Sequence, residues 1–169
     1  GLYHSCGIIS DESAYCWGNM AYIGTPATGT YREVTVGEKH SCGLTTDGEV
    51  NCWGNSFYNS QGQLEVPALP DDSTYLGLSA GPTQTCALQA NTNASAGTVV
   101  CWGATPVNGL SAEINQPADG NYIAISLGVY HGCGILDSGV LTCWGAGQGE
   151  GGQYGAGQAL PYGAETVPL

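Results

Sequence analysis

The sequence predicts an all-β chain of four tandem repeats, each a small antiparallel sheet stapled by its own disulfide. Three observations predict it. A motif with Gly, then His or Gln, then Cys recurs at Gly1–Cys6, Gly37–Cys42, Gly81–Cys86 and Gly128–Cys133, and a Cys-Trp-Gly triplet follows each copy. The first cysteines, Cys6, Cys42, Cys86 and Cys133, are 36, 44 and 47 residues apart. That period is too long for one hairpin and right for a sheet of three or four strands. The composition, with 28 Gly and 10 Tyr against one Phe and one Met, favours short strands and tight turns, and no segment carries sustained helical periodicity.

In chain order, the first repeat runs Gly1-Leu2-Tyr3-His4-Ser5-Cys6-Gly7-Ile8 and reaches Cys16-Trp17-Gly18. The second runs Gly37-Glu38-Lys39-His40-Ser41-Cys42-Gly43-Leu44 to Cys52-Trp53-Gly54, the third Gly81-Pro82-Thr83-Gln84-Thr85-Cys86-Ala87-Leu88 to Cys101-Trp102-Gly103. The fourth runs Gly128-Val129-Tyr130-His131-Gly132-Cys133-Gly134-Ile135 to Cys143-Trp144-Gly145. Each cysteine pair flanks a hairpin. Antiparallel pairing puts the loops at Thr46-Asp47-Gly48 and Asp137-Ser138-Gly139, where glycine supplies the left-handed residue of a three-residue turn. The first repeat has Ser10-Asp11-Glu12 there, a poorer turn, and the third widens through Asn91–Gly97. Further strands are expected at Tyr31–Val36, Thr74–Ser79 and Tyr122–Leu127, each before a motif glycine and each rich in aromatic and β-branched residues. The whole chain reads as one repeat domain, with repeats at about 1–30, 31–73, 74–120 and 121–169.

Directly opposed residues of an antiparallel pair sit within disulfide reach. Repeat symmetry therefore selects Cys6–Cys16, Cys42–Cys52, Cys86–Cys101 and Cys133–Cys143. Each bond is worth roughly 3 kcal/mol in the chain-entropy model. A tetrahedral metal site needs four converging ligands, which one pair per repeat does not offer. Eight regularly placed cysteines point to an oxidising compartment, extracellular or at the cell surface.

Fourteen acidic residues face two bases, Arg32 and Lys39, for a net charge of −12. Two cations cannot displace the counterions of a nucleic acid, nor hold an anionic membrane. The balance favours cationic partners or divalent ions, although charged residues are only 9% of the chain. No apolar run approaches the ~18 residues of a membrane span, so direct membrane insertion is not expected. The chain begins at Gly1 with no Met and no signal peptide, as a processed chain or a piece of a longer one would.

The run Gly37-Glu38-Lys39-His40-Ser41-Cys42-Gly43-Leu44, then Asp47-Gly48-Glu49-Val50-Asn51-Cys52-Trp53-Gly54, then Gln61-Gly62-Gln63-Leu64, resembles the repeat of the regulator of chromosome condensation family. The cysteine-bearing form is similar to secreted members and to the extracellular repeats of Crinkly-type receptor kinases. The resemblance spans essentially the whole chain. It implies a β-propeller, commonly of seven blades. Here there are four repeats, and the strand that should precede Gly1 is missing. An array fragment, a subunit whose ends pair with neighbours in a filament or ring, and a closed four-bladed propeller all fit this pattern. A head-to-tail contact that does not close makes a fibre. The resemblance also raises a nuclear exchange factor, which paired cysteines and scarce Lys and Arg oppose.

His4, His40 and His131 recur at one position, where the third repeat has Gln84. They read as structural residues bonding backbone within their own blade rather than as a metal ring. Trp17, Trp53, Trp102 and Trp144 read as packing on the disulfide or between blades rather than as a sugar- or peptide-binding surface. Asn93-Ala94-Ser95 is a sequon on the longest hairpin loop and the glycosylation candidate. Asp71, Asp72 and Glu150 read as solvated loop acids, lacking the fixed oxygen spacing of a calcium loop. No nucleophile elbow, zinc-protease motif or phosphate loop occurs, and Gly152–Gly157 precedes no helix. His4-Ser5 and His40-Ser41 are poor dyads, because adjacent strand residues face opposite ways. The expected function is therefore an extracellular structural or assembly module, part of a surface filament or appendage, with neighbouring copies or adjoining repeats as partners and no cofactor or enzymatic activity. The alternative is a secreted ligand-binding propeller, a receptor ectodomain or an inhibitor with a protein ligand.

Overall fold

The computed structural model describes residues 1–55, 57, 62–91, 93–103, 117, 119–129 and 131–145. Glu150, Gly152–Gly157 and Tyr130 lie outside them. Four separate antiparallel sheets follow one another along the chain. The first blade pairs β1 (His4–Ile8) with β2 (Ala14–Gly18). The second orders β3 (Tyr31–Val36), β4 (His40–Thr45) and β5 (Val50–Gly54) side by side. The third does so with β6 (Ser73–Ala80), β7 (Gln84–Asn91) and β8 (Thr98–Gly103), and the fourth with β9 (Tyr122–Leu127), β10 (His131–Leu136) and β11 (Leu141–Gly145). The all-β tandem-blade architecture expected from the motif spacing is the one observed.

Each hairpin register puts cysteine opposite cysteine, and the four expected disulfides form, leaving no free thiol. The turns behave as their sequences dictate. Gly48 and Gly139 take φ of +89° and +84°, with Gly48 and Gly139 N–H donating to Thr45 and Leu136 carbonyls. The first blade makes the same turn without glycine: Glu12 stands at φ +65°. Asp11 braces it, accepting from the Ser13 amide at 3.0 Å and hydroxyl at 2.6 Å.

One short element was not expected. Met20–Ile23 forms a single helical turn, α1, capped by Asn19 Oδ1 accepting from the Ala21 amide. One turn is too brief to leave a 3.6-residue pattern. It ends at Gly24, φ +62°, where a Cβ would sit 2.6 Å from the Gly54 nitrogen. No described helix is long and apolar enough to cross a membrane.

The hydrophobic core lies between blades. Cys42, Leu44 and Val50 of the second blade pack on Tyr75, Leu78, Ala87 and Trp102 of the third. Cys86, Leu88 and Val99 of the third pack on Tyr122 and Trp144 of the fourth. Strand alternation explains this division. Each motif His, Cys and following Leu share the face turned to the next blade. The Ser or Thr between His and Cys shares the opposite face with the tryptophan directly across the hairpin. A blade thus buries both faces only by being stacked.

Candidate interaction surfaces

The sequence leads us to expect His4 and His40 to bond backbone in their own blades, but each bonds a hydroxyl of the next one. His4 and His40 are buried, and their rings cross to the next blade. His4 Nε2 is 2.8 Å from Ser41 Oγ, which lies 3.3 Å from Cys6 Sγ. His40 Nε2 is 2.9 Å from Thr85 Oγ1, which lies 3.6 Å from Cys42 Sγ. A disulfide sulfur has no proton, so both contacts are satisfied when Nε2–H donates to the hydroxyl and the hydroxyl points at sulfur. The partner differs from the one expected because it belongs to another repeat and is reached only through stacking. Burial holds His40 down at about 4, aided by the charge of His4, and burial lowers His4 as well. Neutral imidazole is thus the folded form.

The third blade breaks the series. Gln84 stands in place of histidine, and Gly132 in place of the next hydroxyl. Gln84 is buried, and its Nε2 finds no hydrogen-bond partner among the described residues. At Gly132 a Cβ would lie 2.7 Å from the Trp144 ring, so the tryptophan occupies the space a serine would need.

Two other contact sets recur. The amides of Tyr31, Tyr75 and Tyr122 donate to the preceding hairpin loops, at Glu12 O (2.8 Å), Gly48 O (2.8 Å) and Gly97 O (2.7 Å). Thr35 Oγ1 and Ser79 Oγ accept from the Ala80 and Leu127 amides, each at 2.9 Å and each across a blade boundary. The motif glycines Gly1, Gly37, Gly81 and Gly128 line one cavity of about 550 Å³, with Leu2, Val36, Pro82 and Val129 beside them. Here glycine is required by close approach: a Cβ on Gly37 would be 2.7 Å from Gly81 O, and one on Gly81 would be 2.9 Å from Gly128 O. The Glu38 amide donates to Pro82 O at 2.9 Å across the same boundary.

The tryptophans divide by position. Trp53, Trp102 and Trp144 are 4%, 7% and 9% exposed, whereas Trp17 is 53% exposed. The first three each pack on the tyrosine that opens their own blade, with ring centroids 5.8 Å (Tyr31), 6.4 Å (Tyr75) and 6.0 Å (Tyr122) away. Among the described residues Trp17 stacks on Tyr15, at 6.3 Å. At the other end His131 is exposed, and Ile135 and Leu141 are uncovered where Leu44 and Val50 of the second blade are buried. Two opposite apolar end faces are therefore open on the described residues.

The remaining candidates sit as follows. Asn93 is exposed on its loop at φ +73°. Asp71 and Asp72 are exposed. Among the described residues no three His, Cys, Asp or Glu side chains converge as metal ligands would. Tyr31 and Tyr122, which head β3 and β9, and Tyr75, two places into β6, are site residues the sequence reading passed over. Aligning Tyr31, Tyr75 and Tyr122 against the motif glycines would have found them.

Residues 31–63 match the family model described as Regulator of chromosome condensation (RCC1) repeat. Over 88% of its length the chain is similar to the entire ectodomain of the Physcomitrella patens receptor kinase CR4, at 26% identity and TM-score 0.63, covering 38% of that chain. Over 85% it is similar to the CRINKLY WD40 ectodomain of the Arabidopsis thaliana receptor kinase ACR4, at 25% identity and TM-score 0.63, covering 48% of that chain. Prp20p from Saccharomyces cerevisiae, described with its binding to Gsp1p and histones, matches 86% of this chain and 44% of its own at 17% identity and TM-score 0.61, which speaks to fold alone. The chain spans less than half of each of these proteins. The resemblance read from the second repeat thus holds, and the four blades have the propeller-type fold it implied.

Proposed function

We propose that the chain is an extracellular assembly module that works through protein contacts made by its end blades, as a subunit or segment of a larger surface array such as a filament or appendage. One observation carries this reading. The same contacts join blades at successive boundaries, and the surfaces that make them recur, unfilled, at both ends of the described array. The forward face of the fourth blade offers His131, Ile135 and Leu141, and the rear face of the first offers Ser5 and Trp17. Such faces complement each other in a heterologous, head-to-tail sense. Four disulfides support an oxidising, extracellular setting. The reading is of a module that works by contact, in keeping with the likeness to receptor-kinase ectodomains.

Sedimentation of the oxidised chain over a hundredfold concentration range, with electron microscopy of the heaviest species, tests it. Concentration-dependent linear or cyclic oligomers are expected, and a monomer throughout the range overturns the proposal. A second reading, a ligand-binding ectodomain, is favoured by the likeness to two receptor-kinase ectodomains. It predicts a monomer that binds a protein ligand through one face.

A further inference from the structure

The third hairpin is the long one. Cys86 and Cys101 stand 15 residues apart, where the other three pairs stand 10 apart. Part of the surplus extends the ladder by one pair. Beyond the cysteines the third register runs on to Gln89 opposite Thr98, whereas the second stops at Leu44 opposite Val50. The rest lengthens the loop. That loop is fixed at its base and open at its tip. Ala90 and Gly97 are buried, and a Cβ on Gly97 would lie 2.8 Å from the Gln89 carbonyl carbon, so the base closes tightly. Gly97 also exchanges two hydrogen bonds with Tyr122 of the next blade, donating to its carbonyl at 2.9 Å and accepting from its amide at 2.7 Å. At its boundary Gly97 therefore supplies the carbonyl that Glu12 and Gly48 supply at the first two. The tip is not needed for stacking.

At that tip Asn91, Asn93, Ala94 and Ser95 are all exposed. The Ala94 amide donates to the Asn91 carbonyl at 3.0 Å, closing a turn in which Asn93 takes φ +73°. Asparagine tolerates this left-handed conformation, which accounts for residue 93. It does not account for Ser95, whose hydroxyl makes no hydrogen bond among the described residues. Together the two residues form the chain's single Asn-x-Ser/Thr sequence, and it falls on the lengthened loop.

We propose that Asn93 is a modification site, the acceptor of an N-linked glycan carried on the tip of the third hairpin. The co-substrate is an oligosaccharide linked to lipid through a diphosphate. Transfer forms the bond from Asn93 Nδ2 to the anomeric carbon and breaks that carbon's bond to the phosphate oxygen. The lipid diphosphate leaves, and the amide proton goes with it. The side-chain amide has no hydrogen bond to surrender among the described residues. β7 runs from Gln84, beside its motif glycine, to Asn91 at the loop, roughly 23 Å at the usual strand rise. The glycan therefore stands far from the glycine-lined cavity and leaves both faces of its blade free to stack. The inference rests on the extracellular setting of the proposed function and is independent of assembly.

Secretion of the chain from a eukaryotic cell line, followed by intact mass measurement, tests it. The oxidised chain is expected to carry one glycan, which peptide N-glycosidase removes with conversion of Asn93 to aspartate. Asn93→Gln and Ser95→Ala are each expected to abolish the added mass, and Ser95→Thr to retain it. Ser95→Ala changes one exposed side chain, so its loss of glycan with all four disulfides formed assigns the effect to the acceptor sequence rather than to misfolding. An oxidised, secreted chain of bare polypeptide mass overturns the proposal alone, as does a glycosidase-sensitive mass that Asn93→Gln retains. A chain that passes through the secretory lumen with free thiols overturns the extracellular reading and this one together.

Discussion

His40 has to be neutral to stay between two blades. Its ring is buried, it is held at about 4 against an ordinary value near 6.5, and Thr85 meets its Nε2. Between those two values the unfolded chain binds a proton that the folded chain refuses, so stability increases with pH across that window. The contribution is complete above about pH 6.5 and is lost as pH falls toward 4, a difference of about 3 kcal/mol. His4 acts in the same direction, and Glu33, raised by burial and partly relieved by the Leu78 amide, acts in the opposite one as pH rises above the ordinary carboxylate value of 4.5. Urea midpoints at pH 7 and pH 4.5 should therefore differ, and His40→Gln, which installs the third repeat's own residue, should flatten the profile. A wild-type profile already flat over this window would remove the neutral clasp from the account. Glu12 presents the reverse situation, strain that can be relieved. A left-handed glutamate costs about 1–2 kcal/mol, and glycine recovers part of that after its own entropy cost. Glu12→Gly is expected to stabilise the chain by about 0.5–1 kcal/mol in chemical denaturation, with the Asp11–Ser13 brace intact.

Within a blade the sequence was legible where one residue type does one job. Cysteine spacing gave the hairpin, and Gly48 and Gly139 marked its turn. The outer strands were found from their β-branched and aromatic content. Their manner of docking was not, because a bulge leaves no residue signature and each tyrosine alone looks like any strand aromatic. In the second and fourth blades the residue after the first cysteine is a glycine close under that tyrosine, Gly43 under Tyr31 and Gly134 under Tyr122, whereas the third blade seats Tyr75 with Ala87 at the same position. The contrast between Gly43 and Gly7 tests the point. Gly43→Ala must displace the Tyr31 ring and is expected to cost about 1–3 kcal/mol, as overpacked cores do. The same change at Gly7 should cost almost nothing. Equal effects at the two positions, in thermal melts of the oxidised variants, would mean that the Tyr31 ring does not crowd the Gly43 position.

At the scale of the molecule, stability is a matter of boundaries, since the apolar clusters lie between blades rather than within them. The repeats were plain in the sequence, but the pairing of His4 with Ser41 and of His40 with Thr85 joins positions 37 and 45 residues apart that no local pattern connects. Once the pairing is known, the sequence grades the boundaries. The first two carry a histidine and a hydroxyl. The third carries Gln84 and Gly132 and lacks that hydrogen bond among the described residues. Each boundary leaves one buried motif nitrogen unpartnered, His4 Nδ1, His40 Nδ1 and Gln84 Nε2, so the difference is the missing bond, worth about 0.5–1.5 kcal/mol. Nearest-neighbour arrays open first at their weakest joint. Native-state hydrogen exchange should accordingly show β10 opening at lower free energy than β4 and β7, although all three are central strands of their sheets. Thr85→Val removes the hydroxyl at nearly constant shape. It should weaken the second boundary by about 1–3 kcal/mol and bring β4 down toward β10 while β10 itself is unmoved. Exchange from β4, β7 and β10 at one common free energy, before and after the substitution, would mean that the blades unfold as a single unit and that the clasps do not set the order in which they part.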